Sequence, residues 1–507
     1  MVKKPEAELD TLATPADEMQ GSLKALAEAV AKETSREAAE DSDLPELNTP
    51  EQIEDFALQD DYALNPQYIE LVIDAADRND GMRLRELLDA LHPADVADLM
   101  GFLSEDYREQ VIPWIPADAL ADILSELDEG IREEVVETLR PVDLAEVLQE
   151  LDSDDAAAVF EDMEADQQKA VLAAMDPEDR EAMVTSLAFE EETAGRLMQR
   201  EVVAAPDFWD VGHTIEHMRA HGDDLPELFF DVYVISPTHK PVGAVPVSLL
   251  MRSPRATPLS AIMEPITEIE VGMDQEEVAY IFEKYHLISA PVVDAGGRLV
   301  GQITVDDIVN IIQEENREDI LALAGVSDDE GRDSSVFDVV RSRLPWLCVN
   351  LLTAFMASSL ISVFSNEIEK LVALAVLMPM VASIGGNSGT QALTVSVRAL
   401  SSRELTTANA LRTVWREVRV GWFNGSVIAA ILGVVAGLVF SSPMLGITIA
   451  LAVMINLTAA ALAGTLVPLT LSKLDRDPAA ASPIFVTMVT DCVGFFSFLG
   501  LAAIILL

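Results

Sequence analysis

The chain has 507 residues, of which 50% are hydrophobic, and a formal net charge of −54 at pH 7. The charge is uneven, because residues 1–345 carry −55 and residues 346–507 carry +1. A surface this acidic repels nucleic acids and anionic lipids and attracts cations, so a nucleic-acid-binding function is excluded.

Two interpretations of the acidic excess stay open. Clustered carboxylates supply the hard oxygen ligands that Mg²⁺ and Ca²⁺ prefer. Acids spread over a whole surface instead keep a protein soluble in a saline cytoplasm. Because acids occur throughout residues 1–345, we interpret most of the charge as halophilic adaptation and expect only a few acids to bind ions.

The N-terminal region is predicted to be a tail followed by a helical domain. Residues 1–55 are acidic and alanine-rich, which predicts a disordered or loosely helical tail, and they lack the apolar core of a signal peptide. The sequences HPADVADLMGFL, IPADALADILSEL and RPVDLAEVLQEL then recur with a period of about 24 residues. Each opens with proline in the first helical turn and continues with apolar residues at helical spacing. Residues 56–195 are therefore predicted to form an α-helical, superhelical N domain.

Two copies of one strand–turn–strand–helix pattern follow, at residues 196–262 and 263–313. VYVISPTHKPVGAVPVSLL begins at position 232 and APVVDAGGRLVGQITVDDI at position 290. The pattern resembles a tandem pair of α+β CBS domains, modules that generally sense ligands. In the second copy the resemblance implies contact with a nucleotide such as ATP through Thr304 and Asp307, whereas the first copy has Pro246 at that place.

Residues 314–344 are predicted to be a helix that connects the second CBS domain to the C-terminal part. The segment DDIVNIIQEENRED, residues 306–319, places acids along this helix. Carboxylates four residues apart repel each other by a few tenths of a kcal/mol per pair, and a bound divalent cation would reverse that sign. An exposed acidic helix without ions is the alternative.

Residues 345–507 are predicted to form an all-α transmembrane domain with five helices. Each of five apolar runs is near or above the roughly 20 residues that span a bilayer. Arginines precede the first run and cluster after the second, which predicts cytoplasmic N-terminal domains and a C-terminus outside. The runs cover residues 346–364, 371–400, 421–440, 446–471 and 483–507.

Asp491 is the only acid in the last apolar run. An aspartate at the centre of a spanning helix costs roughly 2.5–3.5 kcal/mol, so such a residue usually faces a wet path and contacts a cation or proton. The run therefore predicts ion passage. An aspartate near one helix end, hydrated at the interface, is the alternative.

The second run contains MPMVASIGGNSGTQALTVSVRAL, residues 378–400. Glycine and proline weaken a helix that merely faces lipid, and closely approached backbone is tolerated where it lines protein or water. Asn387 and Gln391, one turn apart, favour a polar path. Small-residue helix packing through Gly385 and Gly389 is the alternative.

The segments PMVASIGGNSGTQALTVSVRAL, DPAAASPIFVTMVTDCVGFFSFLG and ETAGRLM, in this domain order, resemble the MgtE family of magnesium channels over residues from about 60 to the end. The resemblance implies a homodimer in the lipid bilayer of the cell membrane, with a pore on its twofold axis and Mg²⁺ at Asp491 of both protomers. It implies a pore formed by Asp491, Asn387, Gly385, Gly386, Gln391, Ser383 and Thr487.

The resemblance also implies that cytosolic Mg²⁺ closes the pore by bridging the N domain, the second CBS domain and the connecting helix. The implied cytosolic ligands are Asp122, Asp154, Glu276, Asp307, Glu315 and Glu318. The sequence departs from the family at His286, Asn310 and Ala158, where members can carry an acid, and at Pro483, where a polar or small residue is usual. We therefore expect an intact pore and an altered sensor.

Other functional classes remain to be weighed against this prediction. An ion-coupled secondary transporter of Co²⁺, Mn²⁺ or Ca²⁺ would also use an intramembrane aspartate, although no second ionisable residue supports a relay. A membrane-tethered sensor would not need Asp491. No nucleophile–base pair and no histidine-rich metal site is evident, so we expect no enzymatic activity. Cys348 and Cys492 lie in predicted spans and are expected to be free thiols.

Overall fold

The computed structural model describes residues 47, 49–59, 61–222, 225–226, 228–326, 336–405, 409–474 and 476–506. Most of the predicted tail, residues 1–46 and 48, lies outside this part of the chain. The end of the predicted tail is helical, since Thr49 accepts a hydrogen bond from the Gln52 N–H at 3.3 Å and caps the helix Pro50–Ala57. The chain divides into two compact units, one formed by residues up to Leu151 with Asp162–Val171, the other by Asp152–Glu161 with Leu172–Leu507.

The N-terminal half is a succession of short helices, as predicted. Prolines 93 and 141 occupy the first turn of their helices, where the missing N–H costs nothing. Pro116 instead lies at the N-cap position, one residue earlier than predicted. The helices are α1 (Pro50–Ala57), α2 (Pro66–Asp77), α3 (Gly81–Leu88), α4 (Pro93–Phe102), α5 (Glu105–Val111), α6 (Ala117–Glu126), α7 (Glu129–Thr138), α8 (Pro141–Glu150), α9 (Ser153–Glu161), α10 (Ala165–Ala174) and α11 (Pro177–Ser186).

Polar contacts link the short helices of the first unit to later parts of the chain. The buried Tyr68 hydroxyl on α2 donates to the Leu87 carbonyl on α3 at 2.6 Å. Arg108 on α5 pairs with Glu134 on α7, and Arg132 on α7 pairs with Asp162 at 2.5 Å. Each of these contacts links a helix to a later part of the chain, which is the packing expected of a stack of short helices.

Two modules with the same sheet topology follow. In each, the first strand pairs in parallel with the second, and the second pairs antiparallel with the third. The two copies bury separate apolar cores. The elements are α12 (Ala194–Leu197), β1 (Ala204–Pro206), α13 (Val211–Ala220), β2 (Asp231–Ile235), β3 (Pro241–Pro246), α14 (Val247–Arg252), β4 (Ile269–Glu270), α15 (Gln275–Tyr285), β5 (Ser289–Val293) and β6 (Leu299–Thr304).

The helix that follows β6 leaves the second module and runs toward the apolar part of the chain. This helix, α16, spans Val305–Ala324 and ends at Gly325, whose φ of +74° places it in the left-handed region that favours glycine. The predicted connecting segment, residues 314–344, thus includes the end of α16 and the beginning of the next helix, while residues 327–335 lie outside the described part.

The C-terminal part is all-α. Its helices are α17 (Val336–Val363), α18 (Ser365–Lys370), α19 (Ala373–Ser401), α20 (Ala410–Val439), α21 (Pro443–Ser472) and α22 (Pro478–Ile505). Among the described residues, four helices are long and apolar enough to cross a membrane: α17, α20, α21 and α22.

The fifth predicted span corresponds to α19, which falls short of these four in hydropathy. Its 29 residues are ample to cross a bilayer at about 1.5 Å per residue. Its apolar character is interrupted by Gly-Gly-Asn-Ser-Gly-Thr-Gln in the middle of the helix. It packs against α21 and α22. That α19 spans the membrane therefore stays a prediction based on its length and packing.

Candidate functional site

The glycine-rich segment of α19 has one closely packed face. Gly385 and Gly389 are buried. A methyl carbon on Gly385 would lie 2.1 Å from Asn456 Nδ2, and one on Gly389 would lie 2.6 Å from Val486 Cγ1. Both glycines are therefore needed for close packing against α21 and α22, whereas a methyl carbon on Gly386 would meet no atom within 4 Å.

Another face of α19 is polar and exposed. Thr390 and Thr394 donate their hydroxyls to carbonyls one turn earlier in the same helix. The side-chain amides of Asn387 and Gln391 point away from the packed glycine face. Exposed to lipid, such amides would lack partners at a cost of several kcal/mol. We name the exposed residues of this face the polar stripe: Ser383, Asn387, Thr390, Gln391 and Thr394.

Asp491 lies on α22, next to the contact between this helix and α19. Its side chain is half-buried, and among the described residues nothing donates a hydrogen bond to it or pairs with it. The preceding residue, Thr490, faces Gly389, since a methyl carbon there would lie 3.4 Å from Thr490 Cγ2. Thr487, one turn before Asp491, is exposed. An unneutralised carboxylate at this place can bind a cation.

A polar residue of α21 escaped the sequence analysis. Asn456 is fully buried, and its Nδ2 donates to the Val381 carbonyl on α19 at 2.9 Å. Its Oδ1 is buried without a hydrogen-bond donor. A methyl carbon on Gly494 of α22 would lie 2.7 Å from the same amide nitrogen. Asn456 therefore fills a space between α19 and α22, and its one sequence signal is that it interrupts an apolar run.

Two aspartates, Asp154 on α9 and Asp307 at the start of α16, are near enough for the charge of Asp307 to act on Asp154. Burial raises the pKa of Asp154 well above its usual value, and the Asp307 charge adds to the shift. Burial likewise raises the pKa of Asp307 to about 7, against a hydrogen bond from Thr304 Oγ1 at 2.9 Å. Asp154 Oδ1 is buried without a donor. The two carboxylates supply the oxygen ligands of a hard cation site.

A second acidic cluster lies between α15 and α16. Gln275 Nε2 donates to Glu315 Oε1 at 2.7 Å. Burial, with smaller contributions from the charges of Glu276 and Glu318, raises the pKa of Glu315 to about 7. Burial also raises the pKa of Glu276, with additional contributions from the charges of nearby acids.

This second cluster extends to the ends of two apolar helices. Asp319 on α16 accepts a hydrogen bond from Ser401 Oγ at the end of α19, at 2.8 Å. Asp477 caps α22 by accepting from the N–H groups of Ala479 and Ala480. Burial raises the pKa of Asp319, and the Asp477 charge adds to it. Asp319 and Asp477 were not among the predicted ligands, because they meet only after folding.

The remaining predicted ligand and three of the positions that depart from the family do not belong to either acidic cluster. Asp122 is an exposed residue of α6 in the first unit. His286 is exposed and caps α15 in the left-handed conformation, with φ of +55°. Asn310 is exposed and Ala158 half-buried. Within the described ranges, no three or more His, Cys, Asp or Glu side chains are already arranged to hold a metal ion, so each acidic site offers at most two such ligands.

Comparison with known families matches three parts of the chain. Residues 378–501 match the MgtE family, described as a divalent cation transporter, and residues 91–192 match the MgtE intracellular N domain. Residues 259–314 match the CBS domain. This match covers the second module, while the first is recognised by its identical sheet topology.

Full-length relatives agree with these matches. The chain is 30% identical over 315 residues to the magnesium transporter MgtE of Bacillus subtilis (strain 168), which covers 62% of this chain and 70% of the relative. It is 32% identical over 318 residues to that of Enterococcus faecalis (strain ATCC 700802 / V583), with coverage of 62% and 70%. A crystal structure of the cytosolic domain of the Mg²⁺ channel MgtE in complex with ATP covers 48% of this chain and 99% of its own, at 31% identity and a TM-score of 0.45. Both relatives are at least 30% identical to this chain over 70% of their own length, and the chain belongs to the MgtE family.

Proposed function

We propose that this protein carries Mg²⁺ across the cell membrane as a homodimeric channel, and that cytosolic Mg²⁺ bound by its N and CBS domains closes the path. The relatives named as magnesium transporters support the substrate. Asp491, half-buried and without a partner among the described residues of an apolar helix, is the observation on which the proposal depends.

The polar stripe supports a path between two copies of the chain. One protomer leaves the stripe uncovered, and lipid would not satisfy its amides. A second copy related by a twofold axis would turn two stripes toward each other and provide a hydrated lining. Two Asp491 carboxylates would then meet one cation.

The chemistry of this lining suits Mg²⁺ as the substrate. Mg²⁺ gives up its water ligands reluctantly and is usually held by one or two carboxylates and retained waters. Two carboxylates with amide and hydroxyl groups nearby would bind such a hydrated ion without stripping it. Binding of this kind is weak enough to let the ion leave.

The acidic clusters support closure by cytosolic Mg²⁺. Without a cation, burial favours the protonated forms of Asp154 and Asp307, as their raised pKa values indicate. A divalent cation would neutralise both carboxylates and favour the arrangement in which α9 and α16 are together. In this proposal Glu276, Glu315 and Glu318 supply further ligands, and Asp122 is a ligand within the N domain.

The helix α16 would transmit this binding to the membrane part. Ala322 and Leu323 near its end pack against a core that includes Leu393 of α19 and Val486 of α22. The hydrogen bond between Ser401 and Asp319 joins α16 to the end of α19. A shift of α16 on cation release would therefore move both helices that carry the candidate path.

Nucleotide binding and topology complete the proposal. ATP at the second CBS domain would contact Thr304 and Asp307, which are already hydrogen-bonded to each other. The apolar helices place the protein in the membrane with its N-terminal domains in the cytosol, and the C-terminus would lie outside.

The test is Mg²⁺ flux into proteoliposomes with varied Mg²⁺ on the cytosolic side. We expect flux that falls as cytosolic Mg²⁺ rises and that needs no Na⁺ or pH gradient. Flux that follows a Na⁺ or pH gradient would identify a secondary transporter instead, and a flux of Co²⁺, Mn²⁺ or Ca²⁺ without Mg²⁺ would contradict the proposed substrate.

A further inference from the structure

Helix α13 of the first CBS module carries three histidines in one row. His213, His217 and His221 are spaced four residues apart, are all exposed, and make up half of the six histidines of the chain. Residues at this spacing lie on one face of a helix. Neither acidic cluster includes them, and the proposed transport gives them no role.

His217 and His221 are in direct contact. Their ring centroids are 4.3 Å apart with an interplanar angle of 39°. His221 Nδ1 lies 3.0 Å from the carbonyl oxygen of His217. Because a carbonyl can only accept, this Nδ1 carries the proton, and the lone pair of a neutral His221 is on Nε2. Histidines that bind metals usually donate their other ring N–H in this way, which fixes the ring and the tautomer.

His213 differs from this pair because, among the described residues, its ring contacts an indole but neither of the other two imidazoles. Trp209 packs edge-on against His213 at 4.4 Å and against His217 at 4.9 Å between ring centroids. The indole therefore contacts the imidazoles of both residues, while His221 is in ring contact with His217. His213 is consequently a matched control for the other two histidines.

We propose that His217 and His221 form a binding site for a transition-metal ion such as Ni²⁺, Cu²⁺ or Zn²⁺. Two histidines four residues apart on a helix can bind one metal ion, as in the His-Glu-x-x-His arrangement. These ions bind imidazole well, whereas Mg²⁺ prefers oxygen ligands. No third protein ligand is arranged at the pair within the described ranges, so water completes the coordination. The expectation that the chain has no histidine-rich metal site is thereby amended.

The site would let the CBS modules bind a class of metal ion that the acidic clusters do not select. Carboxylate pairs bind hard divalent cations, and two imidazoles select against those same cations. The strongly anionic surface of residues 1–345 raises the local concentration of all cations. Ligand type therefore decides which ion occupies α13. This inference does not depend on the proposed Mg²⁺ transport.

The experiment titrates the full-length protein with Ni²⁺ in excess Mg²⁺, which occupies the carboxylate sites. Bound Ni²⁺ is measured by equilibrium dialysis, and quenching of Trp209 fluorescence reports binding beside α13. We expect saturable binding and quenching in the wild type. His217→Gln and His221→Gln should each weaken the apparent affinity at least about tenfold, while His213→Gln should keep it. Trp209→Phe should lose the quenching but keep the bound Ni²⁺.

Three results would overturn the assignment. Ni²⁺ that fails to bind in excess Mg²⁺ would show that only carboxylates hold it. Wild-type affinity in both His217→Gln and His221→Gln would exclude the pair, and an equal loss in His213→Gln would assign a different ligand set. All three histidines are exposed, so thermal melting of each variant separates loss of binding from loss of fold.

Discussion

Asn456 occupies the space that a side chain at Gly385 would need, since a methyl carbon on Gly385 would lie 2.1 Å from Asn456 Nδ2. The same amide donates to the Val381 carbonyl on α19. Contact between α19 and α21 therefore depends on a missing side chain on one helix and an amide on the other. The packed face of α19 in turn fixes the direction of the polar stripe.

Gly385→Ala should destabilise the membrane part by about 1–3 kcal/mol, because the added carbon overpacks a buried contact. Gly386→Ala is the matched control, since its methyl carbon would meet no atom within 4 Å. Thermal melting of both variants in detergent tests this difference. Equal melting temperatures for the two variants would show that the contact between α19 and α21 has room for a methyl group at Gly385.

The sequence predicted some features because they are local. Proline-initiated helices, the repeated strand–turn–strand–helix modules and four apolar spans follow from periodicity and hydropathy over short windows. Hydropathy is least decisive for α19, because its glycines and amides lower the apolar character of a helix that packs against two others. Which face of α19 is exposed depends on the contacts of Gly385 and Gly389 with α21 and α22.

The remaining site residues could not be predicted because distant segments create them. A single Asn in an apolar run gives the same sequence pattern whether it lines an ion path or fills a space between helices. Asn456 fills such a space because Gly385 and Gly494 face it. From the sequence alone, Asp477 is predicted only to cap the helix that follows it. Its place beside Asp319 depends on the packing of α16 against the ends of α19 and α22.

Stability without Mg²⁺ should fall as pH rises from about 4 to 7. The pKa of Asp307 is about 7 in the folded protein and near 3.9 in an unfolded chain, so the folded state binds more protons in this window. The stabilising effect of protonation is present below the unfolded pKa and is lost as pH passes the folded pKa. Mg²⁺ should reduce the decline, because the cation replaces the proton. Thermal melting at pH 5 and 7.5, with and without Mg²⁺, measures both effects.

Asp307→Asn is the control variant for this pH dependence. It removes the charge while keeping the shape of the side chain, so the decline with pH and the stabilisation by Mg²⁺ should both shrink. If the variant keeps the full response to pH and Mg²⁺, Asp154 and Asp307 are not the groups responsible.

Replacing Glu315 and Glu318 together by Gln should weaken closure by Mg²⁺. The two acids belong to the cluster between α15 and α16, where the charge of Glu318 raises the pKa of Glu315. Limited proteolysis of the cytosolic part should show protection by Mg²⁺ in the wild type and less protection in the variant. Equal protection of the wild type with and without Mg²⁺ would mean that the cytosolic part does not respond to the ion, and His286, Asn310 and Ala158 would be the first positions to restore to acids.

High salt should stabilise the cytosolic domains. Residues 1–345 carry a net charge of −55, and the Debye length falls from about 10 Å at 0.1 M to about 3 Å at 1 M salt, which screens their self-repulsion. The melting temperature of the protein should therefore rise between 0.1 M and 1 M KCl. An unchanged melting temperature would remove the support for halophilic adaptation.

Asp491→Asn should abolish or strongly reduce Mg²⁺ flux while the protein stays folded. The change removes the negative charge but keeps the size and hydrogen-bonding capacity of the side chain, so it isolates the effect of charge. Asn387→Leu should also lower flux, but less selectively, since it alters both the shape and the polarity of the stripe. An acid that merely faced lipid would behave differently, because its removal would relieve a penalty of about 2.5–3.5 kcal/mol and raise stability without affecting transport. Mg²⁺ uptake into proteoliposomes at equal reconstitution, together with melting of both proteins, distinguishes these cases: wild-type flux with raised stability in Asp491→Asn would show that this carboxylate does not lie on the ion path.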